Sequence, residues 1–204
     1  MRTPAAGYRL AIAIRYWHSA RIVISNQVRP VEYMEPVGYL LAMATELALK
    51  ALLVDSGVTD RELASKQLGH DLGACLRRAV QNGLEVSEAE ARTILNMREG
   101  HLSHFNRYGP KADNGNLQLG AFFLTDETAG MHRVAALIDR VSGDPSKLRR
   151  QWQHPSDLEW PVTLPLLSFV DLNRLKELEA ENRAEVDRVA KLNSGFREQG
   201  ILPP

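Results

Sequence analysis

The sequence predicts an all-α protein: an up-and-down bundle of four to five helices, an irregular segment, and an additional C-terminal helix. Three observations lead there. Apolar residues recur at three- and four-residue spacing over long stretches. The early segment "GYLLAMATELALKALLVDSG" is built almost wholly from strong helix formers. Helix-start residues stand where they are needed, as at Ser87 with Glu90 three positions on. With 44% of its 204 residues apolar, the chain can bury a sizeable core. Residues 1–142 read as the bundle, and 143–204 as a segment carrying Pro and Trp plus a charged helix, packed on the bundle or at a dimer interface.

Residues 8–24 form the first helix, with Leu10, Ile14, Trp17 and Ile22 at helical spacing. The second spans 35–57: Pro36 suits a first turn, Leu40, Ala44, Leu47, Ala51 and Val54 give a broad apolar face, and Gly57 ends it. Apolar over most of its circumference, it belongs at the centre of the bundle. Glu46 and Lys50, its mid-helix charges, stand in the favourable Glu-then-Lys order for an i,i+4 pair. A short helix follows, then a turn at Gly69, then a helix from Asp71 to Asn82 facing Leu72, Cys75, Leu76 and Ala79 inward. Ser87 and Glu90 open the next helix, whose apolar faces are Ile94, Leu95, Met97, Leu102 and Phe105. Asn114-Gly115 marks a turn in a stretch that holds a short strand or a loop. Residues 126–142 read as a further helix. Residues 143–167, with four prolines and two tryptophans, read as irregular. The final charged helix places Leu172, Leu175, Leu178, Val186, Val189 and Leu192 near heptad spacing, over too few heptads for a coiled coil.

The bulk numbers exclude several classes. Twenty-five basic and 25 acidic residues cancel, which argues against indiscriminate nucleic-acid binding while leaving room for a local basic patch. A lone cysteine, Cys75, rules out an intramolecular disulfide and reads as a small buried hydrophobe. Arg15 and His18 interrupt the apolar N-terminal stretch, against a signal peptide, and no run reaches the roughly 20 apolar residues of a membrane span. The expectation is a cytoplasmic protein without a membrane partner. Phosphate-cradling loops, dinucleotide fingerprints and nucleophile elbows are absent, so the sequence calls for no cofactor. His101 and His104 could share a metal, but no carboxylate of matching spacing stands beside them except Glu99, which points elsewhere, so no metal is assigned.

The stretches "ATELALKALLVDSG", "GHDLGACLRRA" and "LNMREGHLSHFNRYGP", in that order, resemble the HEPN superfamily. Its members are small all-α domains of prokaryotic toxin–antitoxin, defence and nucleotidyltransferase-associated systems. The resemblance covers roughly residues 8–142 and is strongest over 44–110. The family's nuclease signature is an arginine, four to six residues, and a histidine, matched here by Arg98 and His104. Imidazole suits proton transfer near neutrality, and guanidinium supplies a fixed cation for phosphate charge. On a regular helix these two side chains stand roughly 120° apart and about 9 Å along the axis. They therefore meet only if Gly100 distorts the helix or a homodimer joins one subunit's arginine to the other's histidine. The resemblance implies the homodimer cleft. His101, closer in angle to Arg98, competes for the histidine role. His70 and Asp71 match the family at the start of the third core helix, with Asp71 suited to capping and His70 to bonding a helix end.

Two readings stay open. In the first, the chain is a binding module for a nucleotide, a nucleic acid or a partner protein. Glu99, standing where active members often carry Asn, Asp or His, favours it. So does "RYGP", which resembles an ending found in branches regarded as non-catalytic. In the second, it is a metal-independent endoribonuclease: Arg98 stabilises phosphate charge and His104 moves protons. Glu46 or Lys50 then lines the cleft, and Arg107 and Tyr108 contact backbone and base. The resemblance also implies a cognate nucleotidyltransferase or antitoxin as partner. Under a third, coincidental similarity, the 96–110 stretch is only a polar helix end.

Overall fold

The computed structural model describes residues 2–26, 34–103, 111–113, 116–118, 127–144, 148 and 169–198. Helix α1 runs Pro4–Asn26 and α2 Met34–Asp55, followed by the single turn α3, Asp60–Leu63. Helix α4 spans Leu72–Gln81 and α5 Glu88–Leu102. A small antiparallel hairpin pairs β1, Lys111–Asp113, with β2, Asn116–Gln118, across the Asn-Gly turn position. Helices α6, Glu127–Ser142, and α7, Leu172–Glu198, complete the described elements. The all-α bundle is as the apolar periodicity predicts. His104, Phe105, Arg107, Tyr108, Pro110 and all of the irregular segment but residues 143, 144 and 148 lie outside the described residues.

Helix α2 is the hub, packed by α1, α4, α5 and α6. Its buried positions include Val37, Leu41, Ala44, Ala48, Leu49, Ala51 and Leu53. Leu40, Leu47 and Val54 lie only partly buried beside them. One sequence expectation needs correcting here: Pro36–Asp55 is long and apolar enough to cross a membrane, with mean hydropathy 1.7. More than half of it is buried in the bundle, so its apolarity serves the core equally well.

Helix α1 turns Ala6, Leu10, Ala13, Trp17, Ala20 and Ile24 inward, a stripe repeating every three or four residues. Ile22, expected on that face, is exposed. The alanines let the neighbouring backbones approach closely, and the register they define leaves Ile22 outside. Trp17 is fully buried, and its indole Nε1 donates to the Met131 carbonyl of α6 at 2.8 Å. Helix α6 adds Met131, Val134, Leu137, Ile138 and Val141 to the core.

Helix ends follow the local chemistry. Ser87 and Glu90 form a reciprocal capping box on α5, and Thr59 with Glu62 does the same on α3. Gly57, Gly69 and Gly83 take left-handed φ values of 89°, 32° and 88° at turns where a side chain would be strained. Leu102, expected among the apolar faces of α5, is exposed at the helix end. Helix α7 docks on α4 and α5 by its first turns, burying Leu175 and Leu178. Arg174 bonds Glu88 and Arg77 bonds Glu179 along that seam. Further on, Val186 and Val189 are half-buried and Leu192 is exposed, so the apolar heptad stripe outruns its contact with the bundle.

Candidate functional site

Three parts of the chain far apart in sequence converge beside the hub helix. Glu46 and Lys50 come from α2, His70 and Asp71 from the turn before α4, and Arg98, Glu99 and His101 from the last turns of α5. The i,i+4 pair is present: Lys50 Nζ donates to Glu46 Oε1 at 2.7 Å. The other carboxylate oxygen, Oε2, lies 2.5 Å from His101 Nε2 and 3.1 Å from His70 Nδ1. Glu46 and His101 are each only 3% exposed, whereas the His70 side chain is 53% exposed. The cluster is thus sealed on the core side and open to solvent past His70. The two imidazoles meet edge to face, with centroids 5.9 Å apart.

Burial alone would push the Glu46 carboxyl upward. The bonds from His101, Lys50 and His70, with the Lys50 charge, outweigh it and hold the group at about 2. Nδ1 of His101 is buried with no hydrogen-bond partner among the described residues. Cys75 lies nearby, and its thiol is pushed up to about 12, chiefly by burial. It stays protonated and inert, as a small buried hydrophobe should.

Asp71 caps α4 through Oδ1, which accepts from the backbone N–H groups of Gly73 and Ala74 at 3.0 and 3.1 Å. Arg98 grips the same carboxylate from the other side, Nε to Oδ1 and Nη2 to Oδ2, both at 2.7 Å. Its remaining nitrogen, Nη1, donates to Glu99 Oε1 at 2.9 Å. Burial of Asp71 works against its ionisation, but the Arg98 bonds and the two backbone donors keep its carboxyl below the usual range. Arg98 passes close over Gly73: a Cβ there would meet Arg98 Cδ at 3.1 Å.

Arg98 therefore faces two carboxylates, with no uncompensated charge turned to solvent. Three carboxylates in this cluster, Glu46, Asp71 and Glu99, stand beside two fixed cations, Lys50 and Arg98. Of the sequence-predicted site residues, Glu46, Lys50, Arg98 and His101 meet in this network; His104, Arg107 and Tyr108 lie outside the described residues. Glu46 and His101 are sealed from direct contact with a large ligand in this conformation, and Lys50 is nearly so, at 12% side-chain exposure. His70 and Asp71, read as helix-end residues, turn out to be the links that join α2 to α5. The one signal that could have revealed the link was the shared charge character of "ELALK", "GHD" and "REGH".

A second feature lies between α3 and α4. An open groove of about 630 Å³ is lined by Val58, Arg61, Glu62, Leu68, Arg77 and Arg78, among others. Arg61 and Arg78 are exposed there, while Arg77 is tied to Glu179 of α7.

Comparison with protein-family models, with curated proteins and with solved structures finds no match.

Proposed function

We propose that this chain is a HEPN-like helical module of a prokaryotic defence or toxin–antitoxin type system, acting in the cytoplasm by binding rather than by cleaving. The observation that carries the reading is the state of Arg98. The arginine that corresponds to the nuclease signature is spread over Asp71 and Glu99, in a cluster with excess negative charge. A guanidinium held this way contributes to architecture, and a phosphate would have to displace a bidentate carboxylate to reach it. The groove between α3 and α4 holds exposed Arg61 and Arg78 beside Glu62, cations that an anionic ligand such as a nucleotide or a nucleic-acid backbone reaches without displacing a bidentate carboxylate.

The test pairs two measurements on the purified chain. A thermal-shift screen of nucleotides and short RNAs should raise the melting temperature, with the gain lost in an Arg61→Ala/Arg78→Ala double variant. Labelled RNA incubated with the protein in EDTA should stay intact. Metal-independent cleavage that disappears in both Arg98→Ala and His104→Ala would instead establish the endoribonuclease reading, with its homodimer cleft.

A further inference from the structure

The Glu46 cluster has the composition of a metal site as well as that of an ion-pair network. One donor atom from each of Glu46, His70 and His101 lies within 4.8 Å of those of the other two. Two imidazoles and one carboxylate are a donor set that zinc-class cations favour, and three protein ligands leave a fourth position for water. The donors come from α2, the turn before α4, and α5, so the packed bundle sets their geometry. Access exists as well, because the exposed edge of His70 opens the cluster to solvent.

We propose that Glu46, His70 and His101 bind a single divalent cation of the zinc class, Glu46 through Oε2 and the open coordination position on the His70 side. The surrounding charge favours this occupant over an anion, since carboxylates outnumber fixed cations in the cluster. Lys50 stays on Oε1 and orients the carboxylate from outside the coordination sphere.

Binding requires a small, definable movement. Ligands of a tetrahedral ion with bonds of about 2.0–2.1 Å stand roughly 3.3 Å from one another. Glu46 Oε2 and His101 Nε2, now at 2.5 Å, must part by roughly 0.8 Å, whereas His70 Nδ1 already stands 3.1 Å from Glu46 Oε2 and must settle at a like distance from the His101 donor, now within 4.8 Å. An imidazole that ligates through Nε2 carries its hydrogen on Nδ1, so the hydrogen now between Glu46 and His101 passes to Nδ1 as the cation takes its place. Cys75 is not among the residues whose donor atoms gather here.

The experiment uses untagged, chelator-stripped full-length protein. Cobalt(II) should give the intense visible bands of a four-coordinate ion at one equivalent, and zinc should displace it in competition with a colorimetric chelator. His70→Ala changes a half-exposed side chain and should leave the far-ultraviolet circular dichroism unaltered. It should lower zinc affinity by more than the roughly 100-fold that an outer-shell change costs. Glu46→Gln should do the same, with circular dichroism confirming the fold. No complex at equimolar protein and cation overturns the proposal, and so does binding that His70→Ala leaves unchanged. RNA cleavage and nucleotide binding play no part in these readouts, so the outcome is independent of the module's proposed function.

Discussion

Arg98 and Asp71 are joined by two parallel hydrogen bonds of 2.7 Å, and the same Asp71 carboxylate caps helix α4. One acidic side chain thus starts a helix and anchors its neighbour.

Asp71→Ala should remove both functions, and Asp71→Asn mainly the second, because Asn is an equally good cap. Loss of the cap alone costs about 0.5–2 kcal/mol. Asp71→Ala should exceed that range once Arg98 is left beside Glu99 without its main partner. Asp71→Asn should fall between wild type and Asp71→Ala. Urea denaturation of the three proteins checks the order, and equal stabilities for the two variants would contradict the shared role.

Gly73→Ala tests the contact from the other side. Alanine is favoured over glycine inside a helix by roughly 0.5–1 kcal/mol. In the wild-type background the added methyl meets Arg98 Cδ at 3.1 Å and Nε at 3.2 Å, so that gain should vanish or reverse. In an Arg98→Ala background part of it should return, the remaining tight contact being Asp71 Oδ1 at 3.3 Å. A double-mutant cycle on urea midpoints measures the coupling, and additive effects would refute it.

Glu46 makes stability depend on acid. Its carboxyl is held at about 2 in the folded chain against an ordinary 4.5. The folded value lies below the unfolded one, so the contribution is complete above about 4.5 and is lost as pH falls from there toward 2. A difference of this size corresponds to roughly 3 kcal/mol, as an order of magnitude. Glu46→Gln should flatten the fall in urea midpoint between about pH 6 and about pH 3, where wild type declines. An identical pH profile in the two proteins would count against the account.

Glu46→Ala goes further, because it strands a largely buried Lys50 and a buried His101. Removing one member of a buried pair costs about 3–5 kcal/mol. Thermal unfolding should show the largest single loss in this cluster. A second substitution, Lys50→Met, should recover part of it.

The helices and several of their ends were legible because they rest on local rules. Ser87 and Glu90 announce a capping box by spacing alone, and the structure contains it. What spacing could not show is that Glu90 also receives Arg140 from α6, 50 positions away, at 2.9 Å. The site divides in the same way. Glu46 and Lys50 read as an i,i+4 pair, while His70 and His101, 24 and 55 positions from Glu46, join it only through packing. The carboxylate that His101 meets stands on α2, where no spacing rule along its own helix reaches. Ile22 and Leu102 misled for a different reason. Large apolar side chains dominate a reading of periodicity, whereas α1 sets its register by alanines small enough to let helices touch.

The Trp17–Met131 bond spans 114 positions of chain. During synthesis, helices α1 to α5 emerge before α6 can deliver that carbonyl and its apolar side chains. Until then the core lacks Met131, Val134, Leu137, Ile138 and Val141, and the Trp17 indole lacks its acceptor. Docking of α6 therefore completes the surroundings of Trp17 before α7 can seat on α4 and α5, and lesions in Met131 or Trp17 should reveal themselves first as poor yield.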